Sequence, residues 1–288
     1  MTSTKTHFNR TNSAVFLAVS LALGACGGNA GSEGAGATSL QGQAVVAAAP
    51  DGLSAPAKKD IAMQLVSSAE NSSLNWKAQY SYIEDIGDGR GYTGGIIGFT
   101  SGTSDMLALV EAYNKTKPNN VLSKYLPALR KVNGSASHAG LDPNFVPDWK
   151  TAAKDVVFQQ SQDTLRDNQY FNPSVTLAKQ DGLRTLGQFI YYDAIVMHGP
   201  GSDNQRSSLQ GIRAEALRRA TPPSKGGNET TYLNAFLDVR RALMLSEADH
   251  GGNVDRIDTE QRVFLRNGNL DLNTPLNWSV YGDQYQIR

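Results

Sequence analysis

Cys26 is the only cysteine among 288 residues, so no disulfide can form within the chain. The constraint is sharp because the first residues read as an export signal. Lys5 and Arg10 precede the apolar run AVFLAVSLALGA at 14–25, about a dozen residues and too short to span a bilayer. Exported domains commonly lean on disulfides. This one must hold its fold by a hydrophobic core alone.

The four residues Leu23, Gly24, Ala25 and Cys26 match a bacterial lipobox, with Cys26 as the lipidated residue and a route to membrane attachment. Ordinary signal cleavage nearby is the competing reading. Residues 27–50 are rich in Gly, Ala and Ser, cannot bury enough apolar surface to offset ordering, and are expected to be a flexible tether. Residues 51–288 are long enough for one sizeable unit or two lobes around a cleft. Lys5, Arg10 and Glu33 are the only charges before residue 51, leaving 25 basic groups against 26 acidic ones. That balance argues against a nucleic-acid binder, which would want a basic surface. It leaves room for a local acidic cleft.

Periodicity predicts an α+β, mainly α-helical unit with one glycine-rich hairpin region. Pro56 opens a helix carrying Ile61, Leu65, Val66 and Ala69, ending near Asn71 to Ser73. Tyr80, Tyr82 and Ile83 read as strand, as do Ile96, Ile97 and Phe99 beyond the glycines. Thr103 or Ser104 can cap the next helix, with Asp105 in its first turn and Met106, Leu109, Val110 and Tyr113 inward. One long apolar-periodic segment runs from about Ser174 to Met197 and stops at His198–Gly201. The stretch TPPSKGG (221–227) precedes a helix with Leu233, Phe236, Leu237, Leu243 and Met244, and the last thirty residues read as extended or looped. Trp76, Trp149 and Trp278 sit among apolar neighbours, which favours core packing over sugar-stacking platforms.

Several chemistries are disfavoured. There is no GxSxG elbow and no HExxH, and His7, His138, His198 and His250 lack ligand spacing. The run YIEDIGDGRGYTGG (82–95) begins like a calcium loop with Asp85 and Asp88, but Gly87, Gly89 and Arg90 stand where oxygen ligands belong. It also lacks the Lys–Ser/Thr order of a P-loop.

Carboxylates in unusual company are the better signal. Glu70 lies at the margin of the first helix's apolar face and at its C-terminal end, two conditions that favour a proton-bearing carboxyl. A boundary glutamate with a satisfied partner fits equally. Asp193 falls in line with Leu186, Phe189, Ile190 and Met197, and Arg240 with Leu233, Phe236 and Leu237. Both should be buried, and a buried charge needs a partner, so the two can share a network. That network is either a structural ion pair or a device orienting a catalytic group. Asp88, between two glycines, is expected to expose its carboxylate at a turn, and on pattern alone a plain turn residue is the competing reading. A protonated carboxyl and an ionised one are what glycoside hydrolysis requires.

The stretch LVSSAENSSLNWKAQYSYIEDIGDGRGYTGGIIGFTSGTSDML (65–107) closely resembles the chitosanases of glycoside hydrolase family 46. LPALRKVNGSASHAGL, LGQFIYYDAIVMHGPG, GGNETTYLNAFLDVRRALML and RIDTEQRVFLRNGNLDLNTPL extend the resemblance over about residues 51–288. It implies a lysozyme-like fold, two mainly helical lobes with a small sheet and a substrate cleft between them. It implies endo-hydrolysis of β-1,4 links in chitosan with inversion, without metal or cofactor, by a secreted monomer. Glu70 corresponds to the general acid, Asp88 to the general base and Thr93 to a residue holding the attacking water. Asp193, Arg240 and Arg256 correspond to a network positioning the glutamate. Ser72, Tyr82, Arg90, Asp105 and His198 correspond to sugar contacts. The loop 250–255 is glycine-rich where the family is often more acidic. The alternatives are a lysozyme-type hydrolase of peptidoglycan or chitin, and a non-catalytic polysaccharide-binding lipoprotein.

Overall fold

The computed structural model describes residues 51–247 and 253–288. The export signal, the tether and residues 250–252 of the glycine-rich loop lie outside the described residues. Two hydrophobic cores organise the rest. The larger gathers helices α1 (Pro56–Asn71), α6 (Asn172–Gln180), α7 (Thr185–His198), α8 (Leu209–Arg219), α9 (Glu229–Ser246) and α10 (Arg262–Arg266), with the hairpin β4–β5 (Leu276–Val280, Asp283–Ile287). The smaller gathers strands β1 (Ile83–Asp85), β2 (Tyr92–Gly94) and β3 (Phe99–Thr100) with helices α2 (Asp105–Thr116), α3 (Leu126–Val132), α4 (Phe145–Ala152) and α5 (Val156–Arg166). This is the α+β class that the pattern predicts, in the two-lobed arrangement that the resemblance implies.

The first helix forms where expected. Pro56 sits in its first turn, where its missing N–H costs nothing. Ile61, Leu65 and Ala69 are buried along one face. It stops at Ser72, whose left-handed backbone (φ 50°) returns its N–H to the Ser67 carbonyl. Glu70 is therefore held in the last turn of a well-anchored helix.

The glycine-rich region is a three-stranded antiparallel sheet in the order β1–β2–β3, with Glu84 opposite Thr93 and Thr93 opposite Thr100. Tyr80 does not extend β1. It belongs to a 3₁₀ turn, Trp76–Ser81, because its carbonyl accepts from the Trp149 indole (3.2 Å) and the Gln162 amide (3.1 Å) instead of a strand partner. Trp149 and Trp278 are core residues, and Trp76, half-buried, packs against both cores.

Three details depart from the pattern. The segment from Ser174 to Met197 is two helices, broken at Asp181–Arg184 around Gly182 (φ 79°). Asp181 is buried there and holds both the Arg213 guanidinium (2.6 and 2.7 Å) and the Tyr191 hydroxyl (2.7 Å), which a continuous helix would not permit. That clamp also anchors α8, for which the sequence offers no clear boundary. Finally, neither Thr103 nor Ser104 caps α2. Ser104 has φ 71° and bonds Asn133, while the Asp105 carboxylate Oδ1 takes the Met106 and Thr100 N–H groups, each at 2.9 Å.

Gly94 is required by close approach. A Cβ there would lie 2.9 Å from the Tyr82 carbonyl oxygen and 3.1 Å from Trp149 Cζ2. Gly94→Ala should lower stability by about 1–3 kcal/mol through overpacking. Urea unfolding with an unshifted midpoint would show that this contact does not constrain the sheet.

Candidate active site

The site residues come from both cores. Glu70, at the end of α1, is about one-quarter exposed and its Oε1 accepts from Arg256 Nη2 at 2.6 Å. Arg256 opens a π-helical turn, Arg256–Gln261, and is itself buried. The same Nη2 lies 3.0 Å from Asp193 Oδ1, an ionic contact whose direction is too poor for a hydrogen bond. Asp193 Oδ2 accepts from Arg240 Nη1 (2.6 Å) and from the Gln261 amide (2.7 Å). Arg240 Nε then donates to His198 Nε2 at 3.2 Å. A continuous chain thus runs Glu70–Arg256–Asp193–Arg240–His198 through the larger core.

Each step has a local reason. In a π turn side chains five apart share a face, so Arg256 and Gln261 reach the two oxygens of one carboxylate. Asp193 lies on the inner side of α7 and Arg240 on that of α9, where the apolar periodicity predicts them, and His198 is buried at the end of α7. Burial alone would raise the Asp193 pKa, but Arg256 and then Arg240 outweigh it and hold the carboxyl below the ordinary range. Burial works to lower Arg256, and the charges of Asp193 and Glu70 reverse that and raise it. Because His198 Nε2 accepts a hydrogen bond beside a permanently charged arginine, that nitrogen carries no proton.

Asp88 sits in the β1–β2 connection, and its surroundings correct one expectation. Its side chain is only 1 % exposed. Arg90 folds over it, with Nε at 2.8 Å and Nη2 at 2.5 Å from Oδ2, while the Arg90 N–H bonds Oδ1 at 3.0 Å. The flanking glycines (φ 73° at Gly87, 83° at Gly89) permit this tight return, so they enclose the carboxylate rather than display it. Asp85 folds back likewise onto the Gly87 N–H (2.8 Å). Among the described residues no group of three or more His, Cys, Asp or Glu is arranged to hold a metal ion.

Thr93, on β2, is 7 % exposed and its hydroxyl has no protein partner. The Tyr82 hydroxyl bonds Glu84, and burial, Glu84 and Asp88 together push its pKa upward. Asp105 is raised by burial, against the bonds that Thr100, Thr103 and Met106 give its Oδ1. Ser72 is exposed beside Glu70. His198, expected at the sugar, is 7 % exposed and belongs to the buried chain.

Three residues escaped the sequence reading. Gln261 and Glu260 lie five and four positions after Arg256 in the mainly polar run RIDTEQ, where nothing singles them out. Tyr170, 6 % exposed, lies in a second π turn (Asp167–Phe171) close enough to feel the charges of both Asp105 and Arg90. Nothing in DNQYF announces it.

Comparison with known proteins gives a consistent result. The family model described as glycosyl hydrolase family 46 matches residues 64–276. A chitosanase of Streptomyces sp. is 62% identical over 271 residues, covering 94% of this chain and 96% of the relative. A chitosanase of Bacillus subtilis is 36% identical over 228 residues, 76% and 81% of the two chains. Among solved structures, a chitosanase co-crystallised with substrate superposes with a TM-score of 0.77 at 59% identity, over 82% of this chain and 99% of that one. A Gynuella sunshinyii chitosanase in complex with chitotetraose gives 0.71 at 31%, over 80% and 97%.

The buried chain makes an ordered prediction. Asp193→Ala leaves Arg240 and Arg256 without the carboxylate that joins them, and should cost about 3–5 kcal/mol. Arg240→Ala should cost less, since Arg256 and Gln261 still occupy Asp193. Denaturant midpoints in the reverse order would refute Asp193 as the hub.

Proposed function

The chain belongs to glycosyl hydrolase family 46, and from that membership we propose how its geometry performs the endo-hydrolysis of β-1,4 links in chitosan. The reading rests on one observation: two carboxylates from different lobes stand in opposite settings. Glu70 is tethered through Arg256 to a buried charge network. Asp88 is enclosed with a single arginine on a hairpin.

In this reading Glu70 gives a proton to the leaving glycosidic oxygen. Asp88 takes one from water attacking the opposite face of the sugar, and the anomeric centre inverts. Two features support the assignment. Arg256 fixes the Glu70 carboxyl by one oxygen, which limits its rotation. The Thr93 hydroxyl, buried without a protein partner, suits the holding of a water, because buried hydroxyls otherwise go unsatisfied. Asp193 and Arg240 are positioning residues acting through Arg256.

Chitosan carries ammonium groups, and Asp105 offers one carboxylate oxygen, Oδ2, that takes none of the donors bonding Oδ1. Ser72, Tyr82 and Arg90 complete the proposed sugar path, with His198 behind it at the end of the buried chain. Residues 51–288 form the catalytic unit, working as a monomer outside the cell. No helix of the described residues is long and apolar enough to cross a membrane. Attachment, in this reading, is by lipid at Cys26, which incorporation of a labelled lipid precursor into wild type but not Cys26→Ser would test.

Glu70→Gln and Asp88→Asn should each reduce reducing-sugar release from chitosan by about 10²–10⁴-fold with melting temperature largely kept. Either variant retaining wild-type turnover would overturn its assignment. Proton NMR of the first products should show the α-anomer at the new reducing end. An initial β-anomer would mean retention.

A further inference from the structure

Glu260 is a carboxyl with no role in the reaction above, yet it lies directly behind the machinery. It is 1 % exposed, in the π turn that supplies Arg256 and Gln261. The two arginines near it make their ion pairs with other groups, and neither donates a hydrogen bond to Glu260. Arg256 pairs with Glu70 and Asp193, and Arg240 with Asp193 and His198. Glu260 Oε1 has no hydrogen-bond partner, and Oε2 has only Ser68 Oγ, at 3.3 Å.

The hydrogen-bond inventory at Ser68 then decides who holds the proton. Ser68 Oγ accepts from the Trp278 indole at 3.0 Å and has one hydrogen of its own. The Leu65 carbonyl, at 2.7 Å, is a much better acceptor for that hydrogen than Glu260 at 3.3 Å. An ionised Glu260 would be a buried carboxylate with no donor of its own. A neutral Glu260 can donate O–H to the remaining lone pair of Ser68, completing one donor and two acceptor bonds at that hydroxyl.

We propose that Glu260 is a positioning residue that works as the neutral acid, donating its proton to Ser68 and leaving Arg256 committed to Glu70 and Asp193. With Glu260 neutral, two arginines face two carboxylates. Ionising it adds a third carboxylate beside the same two arginines and draws Arg256 away from Glu70. Its surroundings reinforce the neutral form. Burial first, then the charge of Asp193, push the Glu260 carboxyl well above its usual range, against the weaker pull of Arg256, Ser68 and Arg240. The groups facing it are Ser68 from α1, Asp193 from α7, Arg240 from α9, Trp278 from β4, and Arg256 and Gln261 from its own turn.

The sign of the pH dependence follows. The folded state keeps a proton that the unfolded chain releases near pH 4.3, so folding stability contributed here is complete below that value and falls as pH rises towards the folded pKa. Glutamine mimics the neutral acid, since its amide can donate to Ser68, and it cannot ionise.

The test compares wild type, Glu260→Gln and Glu260→Ala. Glu260→Gln should keep kcat within about threefold at neutral pH and carry the alkaline limb of kcat upward by about one pH unit, about a fivefold gain where wild type has lost tenfold. Its melting temperature should match wild type near pH 4 and exceed it increasingly as pH rises. Glu260→Ala should melt lower at every pH. Infrared spectra of wild type at neutral pH should show a buried carboxylic-acid carbonyl band that Glu260→Gln lacks. A melting difference between wild type and Glu260→Gln that is flat in pH, or no such band in wild type, would overturn the proposal.

The role rests on Glu70 as the general acid, but the infrared and melting measurements require no turnover. An active Glu70→Gln would sink that reading, while the proton on Glu260 would be judged independently.

Discussion

The structure depends on one buried carboxylate. Asp193 is 1 % exposed, and removing an ion of its size from water costs several kcal/mol after relaxation. The cost is met by three contacts from two separate segments: Arg240 on α9, and Arg256 and Gln261 on the π turn, all converging on α7. Nonpolar residues of equal volume could pack the same space with no less stability. What they could not do is carry a fixed positive charge to the end of α1. The charge network therefore reads as a means of presenting Arg256 to Glu70, tolerated within a core that Leu65, Phe189, Leu237 and Phe264 hold together.

The two lobes solve opposite problems. Glu70 is fixed from a distance, through a chain of side chains more than a hundred residues away in sequence. Asp88 is fixed locally, by the side chain and the backbone N–H of an arginine two residues on. Distant fixation makes the acid sensitive to the packing of the larger core. Local fixation makes the base tolerant of it. One connection between them, the turn Trp76–Ser81, is tied to the smaller core through the Tyr80 carbonyl and to α1 through the bond from Trp76 Nε1 to Asp60 (3.0 Å).

What could be read from the sequence followed what the sequence repeats. Asp193 and Arg240 stood out because each interrupts an apolar stripe of period 3.6 in a helix long enough to show one. The first helix and its end near Asn71 were legible for the same reason. The break at Asp181 was not, because its cause is Arg213, thirty-two residues later and on another helix. Asp88 was read as exposed because glycines on both sides suggest openness, whereas the two-residue return of Arg90 leaves no periodic trace. Arg256 and Thr93 entered only through family resemblance, as no pattern of their own marks them.

The π turn explains why this part of the site resisted the periodic reading. One extra residue per turn shifts every later side chain off the 3.6 register, so Arg256, Glu260 and Gln261 cannot be assigned to one face by helical counting. The same shift is what the site uses. Arg256 and Gln261, five apart, approach different oxygens of Asp193, and Glu260, four from Arg256, turns instead towards Ser68 and Trp278. An arginine and a glutamate on the same short segment thus serve different partners, Arg256 holding the end of α1 through Glu70 and Glu260 bracing it through Ser68.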